Sequence, residues 1–289
     1  SRQLLQYFVE RLQPRGMNYI FIDEVQQVEH FEKAVDALYV QENCDVYMTG
    51  SNSKLLSGEL ATLLSGRYVE VRMHPLSFSE FVSAHPGTSL ERLYQQYLTK
   101  SSFPYASMLD QSRDIRQYLS GIYDTVILKD IIGRRKMVNQ ALLKKITRFL
   151  FDNIGNPCSA KKIADTLASM GSKTTIPTVE NYLGALQDAF LFYRADRYDL
   201  KGKEYLKTGG KYYAVDLGLR QMVLGNKPMD AGHMLENVVY LELLRRYDEV
   251  YIGKVGTAEI DFVAVRDGEP CYYQVAYTVI DEDGRTLRR

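Results

Sequence analysis

The 289-residue chain contains no run of 18 or more apolar residues, so its sequence offers no membrane-spanning helix. No secretory leader pattern is visible either. Cysteine is scarce: Cys44, Cys158 and Cys271 are odd in number and far apart, which argues against a disulfide framework and a zinc knuckle and points to a reducing cytoplasm. Net charge is absent too. Lysine plus arginine equals aspartate plus glutamate at 36 each, so no global field advertises nucleic-acid binding, and such binding would need a local basic patch. What remains, 45% apolar and 25% charged residues, is the composition of a soluble globular protein of about two domains, with three allowed by length.

The most informative stretch is Tyr19-Ile20-Phe21-Ile22-Asp23-Glu24. A continuous apolar run suits a strand buried on both faces of a parallel sheet, and its first polar residues then emerge at the carboxyl edge, where α/β folds bind ligands. Two adjacent acids there suggest a magnesium-nucleotide site. Asp23 would help hold Mg²⁺ through its water shell, and Glu24 would polarise the attacking water. Phe31, Val35, Leu38 and Tyr39 follow at helical spacing, and Val46-Tyr47-Met48 forms a second apolar run ending in Thr49-Gly50-Ser51-Asn52-Ser53. Strand, helix, strand is a parallel βαβ unit. Small polar residues after the second strand, Ser51 or Asn52, lie where a nucleotide-hydrolysing site would sense the γ-phosphate. For each, an ordinary polar turn is the plain alternative.

An apolar helix (Leu55, Leu56, Leu60, Leu63, Leu64) leads to Ser65-Gly66-Arg67-Tyr68 and to Pro75-Leu76-Ser77-Phe78-Ser79-Glu80-Phe81. Together the segments IFIDEVQ, YMTGSNSKLL and LSGRYVEVRMHPLSFSEF resemble, in order and spacing, a large prokaryotic family of AAA-type ATPases with a C-terminal domain of uncharacterised function. The resemblance covers nearly the whole chain. It implies an α/β P-loop fold, ATP and Mg²⁺ as cofactors, Asp23 and Glu24 as the Walker B pair, and Ser51 as the sensor. Arg67 sits where an arginine finger would act, which requires delivery by another subunit or a mobile element and hence suggests a homo-oligomer. A surface ion pair is the alternative for Arg67.

One departure from that family stands out. No G-x-x-x-x-G-K-[ST] stretch occurs: Gly209-Gly210-Lys211 is followed by Tyr212 and lacks the earlier glycine. In the family this phosphate-cradling loop lies farther ahead of Walker B than the residues preceding Asp23 allow. The expectation is a fragment, short at both ends, that binds ATP poorly as it stands.

Residues 1–82 are therefore expected to be a partial AAA-type nucleotide-binding domain. Residues 83–138 would be its helical lid and bridge, with Leu93, Tyr97, Leu98, Ile115, Leu119, Ile122 and Tyr123 at helical spacing and a basic run, Arg134-Arg135-Lys136, as a solvated end. Residues 139–205 suit a winged-helix domain: a first helix with Leu142, Ile146, Phe149 and Leu150, a second capped by Ser159, a third from Thr178 to Leu191, then a strand pair. Such a third helix often enters a DNA major groove. Here it carries Glu180 and Asp188 and no lysine or arginine, which favours a protein partner over DNA despite Lys161, Lys162 and Lys173 nearby.

Residues 206–289 contain a different constellation. Glu236 on a helix, Asp261 on a strand and Gln274 on the next strand resemble the metal-binding set of restriction-endonuclease-like nucleases, in which carboxylates bind a divalent ion and a lysine orients water. Ala276 stands at the lysine position, so the expectation is an inactive nuclease-like α/β domain used for docking. The function expected for the parent protein is ATP hydrolysis that controls engagement of a protein or DNA partner. The alternatives are a DNA-processing protein with a metal-dependent nuclease, in which Glu236, Asp261 and Gln274 are ligands, and a non-catalytic interaction scaffold.

Overall fold

The structure is a computed structural model that describes residues 2–50, 66–133, 139–199, 204–225, 230–256, 258–276, 279–280 and 286–287. It divides into two compact units, Ser1–Arg72 with Asp188–Phe190, and Met73–Gln187 with Leu191–Arg289. Ser51, Asn52, the helix expected over 55–64 and the basic run 134–136 lie outside the described residues.

In the first unit α1 (Arg2–Val9) precedes β1 (Asn18–Ile22), a 3-10 turn (Val25–Gln27), α2 (Phe31–Tyr39) and β2 (Cys44–Met48). The strands pair in parallel, with Ile20 opposite Val46 and Ile22 opposite Met48, so α2 is the crossover that the sequence expects. Alternate residues of a strand face opposite sides. Ile20 and Ile22 turn toward Val25, Val35 and Leu38, with Leu5 and Phe8 of α1 packed on the same cluster. Tyr19 and Phe21 point the other way and are exposed, Phe21 by 72%, and its ring stacks on Tyr47 of β2 at 5.0 Å. The sequence expects β1 to be buried on both faces; among the described residues the helices of this unit cover only one.

The second unit begins with α3 (Phe78–Ser83), which starts at a capping box: the Glu80 amide donates to Ser77 Oγ at 3.2 Å and the Ser77 amide to Glu80 Oε2 at 2.7 Å. Helices α4 (Leu90–Thr99), α5 (Pro104–Ser107) and α6 (Ser112–Thr125) follow, and a π-helical stretch (Val126–Gly133) continues α6. The sequence expects these helices as a lid and bridge. Within the second unit they are bonded to later elements: the buried Asp216 carboxylate accepts from Ser101 Oγ (3.2 Å) and from the Ser102 amide (2.7 Å) and Oγ (2.8 Å), while Arg245 Nη2 donates to the Pro75 carbonyl at 2.6 Å.

Three helices come next, α7 (Gln140–Asp152), α8 (Ala160–Ser169) and α9 (Ile176–Asp188), then a hairpin of β3 (Phe192–Asp199) and β4 (Glu204–Ala214). Ser159 caps α8 as expected, accepting from the Lys162 amide at 3.2 Å. Helices α10 (Leu217–Leu224) and α11 (Ala231–Arg246) lead to β5 (Glu249–Val255), β6 (Ala258–Arg266) and β7 (Glu269–Tyr273); short strands β8 (Val279–Ile280) and β9 (Thr286–Leu287) pair separately. One five-stranded sheet runs in the order β4-β3-β5-β6-β7, antiparallel except for β3 against β5. The boundary expected between residues 205 and 206 therefore falls inside β4. The strand pair expected of a winged helix and the sheet expected of the last domain are one sheet, because β3 pairs with β5 far along the chain.

The core of this sheet is aromatic. Tyr213 of β4 stacks on Tyr240 of α11 at 4.1 Å, and both rings lie 5.7 Å from Phe262 of β6. The Asn237 side chain locks α11 to β4, accepting from the Ala214 amide at 2.7 Å and donating to its carbonyl at 3.0 Å. Gly218 of α10 lies so close to α4 that a Cβ there would meet the Lys100 carbonyl oxygen at 1.4 Å.

Candidate functional site

The carboxyl edge of β1 and β2 carries the first constellation. Asp23 follows directly on β1 and is exposed; Glu24 is half-buried. Thr49, the first residue after β2, laces both strand ends together. Its amide donates to the Ile22 carbonyl at 2.9 Å and its carbonyl accepts from the Val25 amide at 3.1 Å. Its hydroxyl accepts from the Glu24 amide at 3.0 Å and donates to Asp23 Oδ1. Glu24 is held with φ at +49°, a left-handed conformation that costs a residue with a Cβ energy and that recurs at functional sites. Gln26 Nε2 donates to Glu24 Oε2, which fixes the direction of that carboxylate.

These residues fit a hydrated magnesium ion: Asp23 would offer it an exposed hard oxygen at the end of a parallel strand, and Mg²⁺ keeps most of its water when a protein holds it through one or two carboxylates. Arg67, the candidate finger, donates from Nη1 to Asp36 Oδ1 of α2 at 2.7 Å, with its guanidinium 5.7 Å from the Tyr39 ring. This is the ion pair that the sequence left open as the alternative. Thr49 lies in the TGSNS stretch, but the sequence alone does not single it out from Ser51 and Asn52.

Comparison with known proteins gives two family matches. Residues 1–82 match the family described as AAA domain, and residues 91–230 match a domain of unknown function (DUF8612). An uncharacterised protein of Haemophilus influenzae is 44% identical over 272 residues, covering 93% of this chain and 68% of that protein. The chain belongs to this family of AAA-domain proteins. A second relative, an uncharacterised protein of Methanocaldococcus jannaschii, is 29% identical over 259 residues, covering 84% of this chain and 58% of that protein. The AAA-domain family thus includes members longer than the sequence described here. No helix among the described residues is long and apolar enough to cross a membrane.

In this AAA-domain chain the second constellation surrounds Glu236 of α11. Glu236 is buried, and its Oε1 accepts from Lys211 Nζ at 3.0 Å and from the Tyr213 hydroxyl at 2.6 Å. Lys211 Nζ also lies 2.6 Å from Glu259 Oε1 of β6. Asp261 is engaged separately: its Oδ2 accepts from Gln274 Nε2 and from the Val275 amide, each at 2.7 Å. The structure therefore brings Asp261 and Gln274 together, while Glu236 pairs with Lys211. Gln274 follows β7 rather than lying within it.

Burial, then the charge and hydrogen bond of Glu236, hold the Tyr213 hydroxyl far above the ordinary tyrosine range. Burial also works against the charge on Lys211, but the hydrogen bonds and charges of Glu259 and Glu236 outweigh it and leave the ammonium above the ordinary lysine range. Among the described residues no group of three or more histidine, cysteine, aspartate or glutamate side chains is placed to hold a metal ion. The sequence around Lys211 suggests at most the lysine of a phosphate loop, because its two partners lie on distant elements.

Proposed function

We propose that this chain is part of an ATP-hydrolysing AAA-type protein in which Asp23 and Glu24 serve Mg²⁺ and ATP and the later domains engage a protein partner. The observation that carries this reading is the pair of carboxylates at the carboxyl edge of a parallel strand pair, oriented by Thr49 and Gln26. Asp23 would hold Mg²⁺ through its water shell, and the ion would offset charge on the phosphates. Glu24 would orient and polarise the attacking water. Ser51 and Asn52 remain the candidates for sensing the γ-phosphate. Arg67, released from Asp36, would act as a finger toward a neighbouring copy, which makes a homo-oligomer the working assembly. The three free thiols, Cys44, Cys158 and Cys271, suit a reducing cytoplasm. Magnesium-dependent ATP turnover by the intact protein, abolished in Glu24→Gln, tests this reading.

The order α7, α8, α9, then the β3–β4 hairpin, supports a winged-helix module. Its third helix buries Val179, Tyr182, Leu183 and Leu186 and leaves Glu180 and Asn181 exposed, a surface with an acid and no lysine or arginine to attract phosphate. A protein partner fits it better than DNA does. Duplex binding that weakens steeply with salt would reverse that preference.

A further inference from the structure

We propose that Lys211 is the resident cation of the Glu236–Glu259 centre: its ammonium stands where a hard divalent ion would have to sit, and the C-terminal α/β domain works without a bound metal. The two carboxylates converge from different elements, Glu236 from α11 and Glu259 from β6, on one point that Lys211 Nζ occupies at 3.0 and 2.6 Å. A divalent ion would need the same oxygens at about 2.0–2.6 Å, and therefore the same place. The ammonium is tethered to β4 and its side chain is only 5% exposed, so it cannot be exchanged from solution.

Two oxygens of these acids, Glu236 Oε1 and Asp261 Oδ2, accept further protein donors. The Tyr213 hydroxyl adds to Glu236, and the Gln274 amide and Val275 backbone N–H add to Asp261. Glu236 Oε1 and Asp261 Oδ2 are thus each engaged by two built-in donors, which occupy lone pairs that a metal ion would need on those oxygens. The backbone holds the arrangement: Lys211 bridges to Pro157, the Gly155 amide donates to the Tyr212 carbonyl, and the Cys158 amide to that of Gly210. The ammonium consequently joins β4, α11 and β6 at the point where the α7–α8 connection meets the sheet. This inference concerns the C-terminal domain and does not depend on the ATPase reading.

The probe is Mn²⁺, followed by electron paramagnetic resonance of the free ion and by thermal shift. The unsubstituted protein and Asp261→Asn are titrated side by side, so that any ion bound at Asp23 cancels. The expected result is no difference between them. Lys211→Ala, and Lys211→Met as a volume-conserving second variant, should bind one Mn²⁺ at least tenfold more tightly than the parent, and Glu259→Gln added to either should remove that gain. Stoichiometric Mn²⁺ on the parent that disappears in Asp261→Asn overturns the proposal, whether or not the lysine variants fold. Folded lysine variants that bind no more tightly than the parent overturn it as well.

Discussion

The Thr49 hydroxyl donates to the Asp23 carboxylate while accepting from the Glu24 backbone amide, so a single side chain at the end of β2 orients the Asp23 carboxylate and anchors the backbone from which Glu24 projects. Thr49 touches neither phosphate nor water in this account and acts by positioning. Partners of this kind change metal affinity or activity by about 10- to 100-fold when removed. Thr49→Val in the intact protein should therefore raise the Mg²⁺ concentration needed for half-maximal ATP turnover and lower kcat by that order, and Thr49→Ser should restore both. A Thr49→Val enzyme with an unchanged Mg²⁺ dependence would remove Thr49 from the site.

Gly218 offers a sharper test of the fold. Its α-carbon faces the Lys100 carbonyl with no room for a methyl group, the nearest atom being 1.4 Å from where a Cβ would stand. Gly218→Ala must part α10 from the end of α4, and it should cost about 3 kcal/mol or more in urea unfolding, at or above the usual range for overpacking. The Asp216 carboxylate, which caps α10 by accepting from the Leu219 amide at 2.7 Å, would lose its bonds to Ser101 and Ser102 in the same movement.

Lys211 makes stability depend on alkaline pH. Its ammonium is held above the ordinary lysine value of 10.5, so its contribution is fully present below that value and is lost as pH rises through the higher folded-state value. Lys211→Met leaves buried Glu236 without its cation and should cost about 3–5 kcal/mol at neutral pH. As pH rises from neutrality, denaturant titrations should show the gap between parent and variant narrowing only above pH ~10.5. A gap that is already closing near neutrality would contradict the pairing.

Asp230 works in the opposite direction. It caps α11, accepting from the amides of Gly232 at 3.1 Å and His233 at 3.2 Å. The His233 amide, and after it the His233 ring, outweigh slight burial and hold the Asp230 carboxyl below the usual range. That contribution is present above the ordinary aspartate value of about 3.9 and disappears as pH falls through the lower folded value. Asp230→Ala should cost about 0.5–2 kcal/mol at neutral pH, and the difference should vanish in strong acid.

What the sequence disclosed was local. The apolar run into Asp23 and Glu24, the helical spacing of Val35 and Leu38, and the Ser159 cap each depend on neighbours within a turn or two, and each appears where it was expected. What it hid was non-local. Nothing near Lys211 announces Glu236 or Glu259, and nothing near β3 announces that it will pair in parallel with β5. Thr49 shows the same limit from the other side: its motif was visible, but only the parallel register of β1 and β2 places its hydroxyl on Asp23. The exposed faces of Tyr19 and Phe21 could not be read from an apolar run, because hydrophobicity reports a preference for burial and not which elements supply the cover.

The most direct test of the central claim is ATP binding and turnover by the intact, full-length protein beside its Glu24→Gln form. The account predicts Mg²⁺-dependent hydrolysis in the parent and, in the variant, ATP binding that persists while turnover falls by at least about 100-fold, the size of effect that removing a catalytic base produces. Absence of ATP binding in both forms, or turnover unchanged in Glu24→Gln, would contradict it.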